Sequence, residues 1–327
     1  MQGHELDPTV LMQHLLWQRH PSTWWHDGCQ PLWKKKGTPF TWWKKRLKKM
    51  KILNKAELQQ AGKVLQSHLP KSSKVYGYLF GVNRNKPHTL EVIVDSWPDF
   101  KTIICRPDQK NAHTLLYKNR LNFFSTDEKI LKKMLTEDKV LDWNKYFRIG
   151  GFDIRHATML KDVAATKGAT FRQLILVHLL VLQDPNLLPQ LTVNSDMEAR
   201  ISSLNESHVS LVNKTWKFGG DEKGFKLIKY LIRHFPTCCI TDEEGCPVSW
   251  VLLYDYCAMG LLYTAPDYRG RGYTKILIST MATRLHAQGY PVYCFIEEEN
   301  QLSYRLSKKL GFTEDPSYRA AWYEFNY

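Results

Sequence analysis

The stretch that decides the fold is residues 261–278, which read LLYTAPDYRGRGYTKILI. An apolar run, a glycine turn and a second apolar run predict a strand, a tight turn and the first turns of a helix. Gly270 and Gly272 can adopt positive φ, so backbone N–H groups can converge on an anion at the positive end of the helix dipole. The turn also carries three cations, Arg269, Arg271 and Lys275. It is therefore predicted to bind phosphate groups; the alternative is an ordinary strand-to-helix turn with a basic face.

The same turn resembles the signature of a known superfamily. Arg269-x-x-Gly272-x-Thr274 is similar to the Arg/Gln-x-x-Gly-x-Gly/Ala pattern of the GCN5-related N-acetyltransferases (GNAT), with Thr274 in place of the last Gly or Ala. The resemblance implies that acyl-CoA or coenzyme A binds as co-substrate, with its pyrophosphate on the turn and its pantetheine along the preceding strand. The residues implied in this binding are Leu262, Tyr263, Thr264, Arg269, Gly270, Arg271, Gly272, Tyr273, Thr274 and Asn300.

Composition limits the classes to which the chain can belong. With 327 residues, 43% of them hydrophobic, the chain is long enough for two globular domains. Its formal net charge is +14, and residues 1–49 contribute +6 of this through nine Lys/Arg against three Asp/Glu. A basic surface suits an anionic ligand such as coenzyme A, and would equally suit weak nucleic-acid binding. No nucleic-acid motif occurs beyond residue 49, so we expect no nucleic-acid partner.

Cysteine spacing and hydropathy argue against a metal site and a membrane span. The seven cysteines are odd in number and lack C-x-x-C spacing, which predicts free thiols and no structural metal. The longest apolar run, residues 174–182, is interrupted by His178 and is far shorter than the roughly 20 residues that a bilayer requires.

The pattern of elements divides the chain into three parts. Residues 1–49 are rich in Lys and Trp without a regular period, and are predicted to be a disordered basic extension; a transit peptide is the alternative. Residues 50–190 predict an α+β domain. It opens with a helix capped by Asn54 and Glu57, and strands are expected at 75–82, 90–95 and 102–105.

Residues 191–327 predict a second α+β domain with the element order β-α-α-β-β-β-α-β-α. Strands are expected at 199–204, 237–241, 247–253, 256–263 and 291–296. This order is that of the GNAT fold, a mixed twisted sheet flanked by helices. Because residues 50–190 have similar strand and helix content but no comparable glycine turn, we expect them to form a degenerate copy of the second domain.

Short sequence segments in both domains narrow the resemblance from the superfamily to one family within it. Residues 74–77 (KVYG), 94–100 (VDSWPDF), 211–216 (LVNKTW), 218–220 (FGG) and 235–239 (FPTCC) resemble the glycine N-acyltransferase family. The resemblance covers residues 50–327. It implies an enzyme that transfers an acyl group from acyl-CoA to the amino group of glycine or a related small amino acid, in detoxifying conjugation. It also implies a mitochondrial protein, with a cytoplasmic location as the alternative, and we expect a monomer.

The catalytic residues are where the chain departs from the family it resembles. The family's presumed general base is a glutamate on the strand before the glycine turn, and the matching residue here is Ala258, which cannot take a proton. Glu297 and Ser307 are the candidate catalytic residues, with Asp255, Glu298 and Glu299 as other carboxylates; a solvated loop is the alternative for the glutamates. The chain is therefore predicted to be an active acyltransferase, and the alternative is a weak or inactive homologue that binds acyl-CoA.

Overall fold

The structure, a computed structural model, describes residues 50–108, 119–190 and 194–327. The predictions for residues 1–49 lie outside these ranges. Within them the backbone forms one sheet of twelve strands with helices packed on it. The strands are β1 (Lys51–Ile52), β2 (Leu90–Val94), β3 (Thr102–Pro107), β4 (Arg120–Ser125), β5 (Phe147–Asp153), β6 (Phe171–Val181), β7 (Ile201–Ser202), β8 (Thr237–Thr241), β9 (Pro247–Leu253), β10 (Met259–Thr264), β11 (Tyr293–Glu297) and β12 (Ala320–Phe325). The helices are α1 (Lys55–Gln66), α2 (Ser73–Asn83), α3 (Glu128–Thr136), α4 (Ala157–Thr166), α5 (Ser195–Ala199), α6 (Val209–Thr215), α7 (Glu222–His234), α8 (Tyr273–Ala287) and α9 (Gln301–Lys309).

One arrangement of strands occurs twice, in the first half of the described chain (up to residue 190) and in the second half (from residue 194). The order across the sheet is β1-β2-β3-β4-β5-β12-β6-β11-β10-β9-β8-β7. At one edge, β1, β2, β3 and β4 pair antiparallel in that order, and β4 then pairs parallel with β5. At the other edge, β7, β8, β9 and β10 pair antiparallel in the same way, and β10 then pairs parallel with β11. The helices repeat as well, since α1 and α2 connect β1 to β2, and α6 and α7 connect β7 to β8. This repetition agrees with the prediction that the first half is a degenerate copy of the second.

The two halves exchange their last strands. β6 of the first half pairs antiparallel with β11 of the second, and β12 of the second half pairs antiparallel with β5 of the first. β6 and β12 also pair with each other at the centre of the sheet. Residues 50–327 therefore lie within one compact unit, and the division at residues 190 and 191 stays a prediction.

Apolar side chains cover both faces of the sheet. On β2, Val92 and Val94 belong to one buried cluster and Ile93 to the other, as expected because successive side chains of a strand point to opposite faces. The first cluster includes residues of α1, α2, α7 and α8, and the second includes residues of α3 and α4. The sheet is thus buried between two layers of helices.

The first element of the folded region is confirmed, whereas the second differs from its prediction. The Asn54 side chain accepts the N–H of Glu57 at 3.0 Å, and the Glu57 carboxylate accepts the N–H of Asn54 at 3.0 Å, as predicted for the capping box of α1. The prediction of a strand at residues 75–82 is wrong, because this segment lies in α2. The high content of aromatic and β-branched residues favours a strand locally, but burial on several sides stabilises a helix.

Two differences also occur in the second half. Residues 199–204 were expected to form a strand, but α5 ends at Ala199 and β7 contains only Ile201 and Ser202. β12 was not predicted, although it lies at the centre of the sheet. Its Glu324 is 1% exposed and its carboxylate is held by Arg148 and Arg172, so a charge on this strand is buried in an ion-pair network instead of marking a surface loop.

Among the described residues between β4 and α3, the place that corresponds to residues 269–274, the first half has no open anion site. α3 begins after Asp127, whose carboxylate accepts the N–H groups of Lys129 at 2.9 Å and Ile130 at 3.1 Å. A carboxylate therefore already satisfies the N-terminus of this helix. Next to β4 and β5, the rings of Phe123 and Phe152 stack with centroids 5.8 Å apart, so aromatic side chains fill this part of the first half.

Candidate active site

Strand β10 is irregular where the candidate site lies. It pairs with β9 at Met259 and Gly260 and again at Tyr263 and Thr264, with a register shift between the two pairs of positions. Leu261 lies within the shift and has a φ of +50°, a left-handed conformation that residues other than glycine rarely adopt. A bulge leaves its extra residues outside the ladder, so β10 can present backbone groups to a ligand at this point.

A cleft opens between β10 and β11. The two parallel strands pair at Met259 and Cys294, and both strands line a cleft of about 320 Å³. Leu262 and Tyr263, which were predicted to contact the co-substrate, are among the lining residues. The aromatic residues of the lining are Trp216, Phe218, Trp250, Tyr254, Tyr263, Phe295 and Phe312. These seven rings, about a third of the lining residues, are called the aromatic wall of the cleft.

The glycine turn follows the end of β10. Gly270 has a φ of +77° and Gly272 a φ of +78°, and a Cβ atom at either position would meet no atom of the described ranges within 4 Å. α8 begins directly after Gly272, and no side chain of the described residues caps its first N–H groups. Because the side chain of Tyr273 is buried, this residue can offer only its backbone to a ligand. Three cations are exposed around the turn, Arg269, Arg271 and Lys275.

Thr274, which departs from the superfamily signature, takes part in a chain of hydroxyl groups. Its Oγ1 lies 3.2 Å from Oγ1 of Thr264, which lies 2.7 Å from Oγ of Ser249. The Ser249 hydroxyl also donates to the carbonyl of Tyr263 at 2.9 Å, and Nε of Arg269 donates to the carbonyl of Thr264 at 3.1 Å. These bonds join the ends of β9 and β10 to the first turn of α8, so a hydroxyl at position 274 helps to hold the turn.

Two predicted residues of the α9 segment also line the cleft. Asn300 caps α9, since its side-chain oxygen accepts the N–H of Ser303 at 3.1 Å. Ser307 is 4% exposed and forms a hydrogen bond with the thiol of Cys294. Burial raises the pKa of Cys294 to about 12, and the bond to Ser307 acts in the opposite direction. Ser307 thus lies beside the point at which β10 and β11 pair.

Glu297 forms an ion pair with a lysine at the cleft. Its Oε2 lies 2.6 Å from Nζ of Lys217, and both residues line the cleft. Glu297 ends β11, and its partner in the ladder is Val177 of β6, so a strand from the first half fixes its position. Glu298 instead pairs with Arg319 at 3.0 Å, and Glu299 is exposed. Of the three consecutive glutamates, only Glu297 lines the cleft.

Ala258, at the family position of the presumed base, is buried. It is 1% exposed, and its carbonyl accepts the N–H of Tyr254 at 2.9 Å. Met259 and Gly260 line the cleft, but neither Ala258 nor Asp255 is among the lining residues. The carboxylate that the structure brings to the cleft is therefore that of Glu297.

Comparison with known proteins decides the family. A sequence profile described as aralkyl acyl-CoA:amino acid N-acyltransferase matches residues 50–236, and the profile of its C-terminal region matches residues 238–326. Glycine N-acyltransferase of Bos taurus is 30% identical over 281 residues, which cover 81% of this chain and 95% of the relative. The chain belongs to the aralkyl acyl-CoA:amino acid N-acyltransferase family. It is an acyltransferase, as the sequence resemblance implied.

Solved structures confirm the fold of this acyltransferase. The X-ray structure of a Drosophila protein aligns with a TM-score of 0.69 at 17% identity, and covers 84% of this chain and 97% of the other. A tandem GNAT protein from the clavulanic acid biosynthesis pathway aligns with a TM-score of 0.50 at 13% identity, and covers the same shares of the two chains. At these identities the similarity concerns the fold alone. It confirms the predicted GNAT fold preceded by a similar α+β domain.

The acyltransferase has a buried lysine behind the aromatic wall of the cleft. Lys74 of α2 is 6% exposed, and its Nζ lies 4.3 Å from the ring centroid of Trp322 and 4.7 Å from that of Tyr256. The ring of Trp322 in turn packs edge-on against Phe295 of the cleft, with centroids 5.2 Å apart. Burial holds the pKa of Lys74 well below its usual range. The first half of the chain thereby supports the cleft from behind.

Sequence reasoning missed both Lys74 and Lys217. Lys74 lies inside a sequence segment that carried the family resemblance, and Lys217 directly follows another, but a single lysine gives no periodic signal.

In the described ranges, no helix combines the length and the apolar character that a bilayer span needs. The same ranges contain no group of three or more His, Cys, Asp or Glu side chains placed to hold a metal ion.

Proposed function

We propose that this acyltransferase transfers an aralkyl acyl group from acyl-CoA to the amino group of glycine or a related small amino acid. The observation that carries the proposal is the cleft between β10 and β11, which is followed by an uncapped helix N-terminus surrounded by cations. The family supports acyl-CoA and an amino acid as the two substrates. The relative named glycine N-acyltransferase supports glycine as the acceptor.

The glycine turn is suited to the pyrophosphate of acyl-CoA. The first N–H groups of α8 are uncapped, and the space above Gly270 and Gly272 is open, so phosphate oxygens can approach the backbone closely. Arg269 and Arg271 would add charge-assisted hydrogen bonds from the side. Backbone groups of residues 262–264 would bind the pantetheine arm, because the bulge in β10 takes part of this segment out of regular pairing with β9.

The aromatic wall is suited to an aralkyl acyl group. Rings pack against one another in offset or edge-on arrangements and gain stability beyond the burial of their area. The rings of Trp250 and Tyr263 already stack 4.9 Å apart in the lining of the cleft, and Trp216 and Phe218 add an edge-on pair at 5.9 Å. A phenylacetyl or benzoyl group therefore has several faces and edges to contact.

The reaction forms a C–N bond and breaks the C–S bond of the thioester. Because an amino acid arrives mainly as an ammonium ion at neutral pH, a proton must leave before the amine can attack. Glu297 is the proposed acceptor of this proton, and backbone N–H groups of residues 262–264 would stabilise the developing oxyanion. Ser307 would donate a hydrogen bond to the leaving sulfur, which then takes a proton from water.

The second candidate is a weak or inactive homologue that binds acyl-CoA. The observation that favours it is Ala258 at the position of the family's presumed base. A positioned general base typically contributes 10²–10⁴-fold to a rate, so an enzyme that lacked one could retain binding and lose most of its turnover.

A panel of acyl-CoA and amino-acid substrates separates the two candidates. We expect release of coenzyme A thiol from phenylacetyl-CoA or benzoyl-CoA that depends on the added amino acid, and N-acyl amino acid detected by mass spectrometry. Glu297→Gln should lower turnover about a hundredfold, whereas Glu299→Gln should not. Raising the pH should partly restore the turnover of the Glu297→Gln variant, because more amine is deprotonated. Acyl-CoA binding without amine-dependent thiol release between pH 7 and 9.5 would establish the inactive homologue.

The family resemblance also supports a proposal for the cellular role and the assembly of the enzyme. We propose a role in the detoxifying conjugation of acyl groups with amino acids, in mitochondria, by a monomer; a cytoplasmic enzyme is the alternative. Fractionation of cells, followed by detection of the chain with an antibody, tests the location, and sedimentation of the purified protein tests the monomer.

A further inference from the structure

The cleft carries one cation and one anion, and they are in contact. Of the lining residues in the described part of the chain, only Lys217 and Glu297 have charged side chains, and the distance between Nζ and Oε2 is 2.6 Å. We propose that this pair is the binding site for the amino-acid acceptor, with Lys217 binding its carboxylate and Glu297 its ammonium group. The inference rests on the proposed function and deepens it.

The charges of the pair match those of the acceptor. An amino acid at neutral pH carries an ammonium and a carboxylate on the same carbon atom, and adjacent side chains of opposite charge can bind both groups at once. Each side chain would then exchange one partner of opposite charge for another, so neither would be left unpaired in a cleft whose other lining residues are uncharged.

The existing ion pair is one that can open at little cost. The side chain of Lys217 is 64% exposed and that of Glu297 is 27% exposed, and an ion pair in contact with water contributes little to stability. An acceptor that offers a charge to each side chain can therefore compete with the pair.

The two side chains differ in how firmly they are held. Glu297 ends a strand that is paired with β6, which fixes its backbone. Lys217 follows α6 in the segment that leads to α7, and its long side chain has several rotatable bonds. The fixed carboxylate would place the reacting nitrogen, and the flexible lysine would adjust to the carboxylate of the acceptor.

This arrangement also accounts for the protons. The ammonium donates one proton to Glu297, which passes it to water, and the free amine then forms the C–N bond. The nitrogen loses its second proton to Glu297, and the sulfur leaves with the electrons of the C–S bond and takes a proton from water. Lys217 would take no part in bond making. Its role would be to select acceptors that carry a carboxylate over simple amines.

Glycine and glycinamide distinguish this role, because glycinamide keeps the amine and lacks the carboxylate. With the full-length chain and saturating phenylacetyl-CoA, Lys217→Met should raise the KM for glycine about 10- to 100-fold, the usual effect of losing a charge-assisted hydrogen bond. The kcat/KM for glycinamide should fall at least about tenfold less than that for glycine, because glycinamide has no carboxylate to lose contact with Lys217, and Lys217→Arg should restore most of the preference for glycine. Lys214→Met is the matched control, since Lys214 is an exposed lysine three residues earlier that does not line the cleft.

A binding measurement provides a readout that does not need turnover. In calorimetry, N-phenylacetylglycine should bind the wild-type chain about 10- to 100-fold more tightly than the Lys217→Met variant, and N-phenylacetylglycinamide should bind both alike. The inference is overturned if the variant loses activity with glycine and glycinamide equally, or if neither its KM for glycine nor its affinity for N-phenylacetylglycine changes. Should the wild-type chain acylate no amine, the proposed function fails, and the calorimetric comparison still decides whether Lys217 binds the carboxylate.

Discussion

Replacing Lys74 by methionine should change how the stability of the fold depends on pH. Lys74 is 6% exposed and lies between the rings of Trp322 and Tyr256. Burial, helped by the charge of Arg120 and opposed by that of Asp255, holds the pKa of Lys74 well below its ordinary value of 10.5. In a pH range below 10.5, the amine is therefore neutral in the folded chain and protonated in the unfolded chain.

The sign and the size of the effect follow from this difference in bound protons. Because the unfolded chain binds one more proton, the free energy of unfolding rises with pH by about 1.4 kcal/mol per unit until pH approaches 10.5. Methionine has a similar length and binds no proton, so it removes this slope. Relative to wild type, the stability of Lys74→Met should therefore fall by about 1.4 kcal/mol for each pH unit between the lowered pKa of Lys74 in the folded chain and its ordinary value.

Urea unfolding followed by tryptophan fluorescence at pH 7.5, 8.5 and 9.5 measures this difference. The range stops at pH 9.5 because burial raises the pKa of Tyr78, Tyr256 and Tyr293, and these tyrosines ionise first in the unfolded chain, which lowers stability at higher pH. Lys63→Met, at an exposed position of α1, is the control and should keep the wild-type slope. Parallel pH dependences for wild type and Lys74→Met would refute the reasoning and would show that Lys74 stays charged between its two rings.

Three further predictions concern the glycine turn, the position of the family base and the exchanged strands. Gly272→Asp should weaken coenzyme A binding in calorimetry tenfold or more, because it puts a carboxylate at the anion site. Gly245→Asp is the control, because Gly245 is another open position of positive φ. Each of the two substitutions should lower the free energy of unfolding by about 1 kcal/mol, but Gly245→Asp should leave coenzyme A binding intact. Equal coenzyme A binding by both variants would contradict the assignment of the glycine turn as the anion site. Ala258→Glu should lower the free energy of unfolding by about 2 kcal/mol or more without raising turnover, and a faster enzyme would show that this position does reach the substrate. A fragment of residues 194–327 should give the circular dichroism of a largely unfolded chain, because β11 loses β6, and β12 loses β5 and β6; a folded fragment that binds coenzyme A would show that the second half is independent.

The parts of the fold that the sequence predicted are those in which a local pattern and the tertiary environment agree. The capping box of α1 is read from Asn54 and Glu57, and the bonds that it predicts are present. The glycine turn is read from Gly270 and Gly272, and both adopt the positive φ that was expected. In each case the cause lies within a few residues of the chain.

The parts that the sequence did not predict depend on distant residues. α2 contains Gly77, where a Cβ atom would lie 1.8 Å from the carbonyl oxygen of Tyr256, so the helix is packed directly against a backbone segment 179 residues away in the numbering. Glu297 was singled out as one of several carboxylates, but its contact with Lys217 depends on how the segment after α6 meets β11. Neither contact produces a recognisable pattern in the residues next to it in the sequence.

The exchange of strands also sets the order in which the sheet can be completed during synthesis. β5 and β6 leave the ribosome early, but β12, which joins them, is translated more than a hundred residues later. At about 5–20 residues per second, the nascent chain waits for roughly 7 to 30 s with strand edges that another chain can pair with. We therefore expect chaperones to associate with the nascent chain during this interval. A premature stop codon just before Ala320 should accordingly yield aggregated or degraded protein instead of a slightly shortened enzyme.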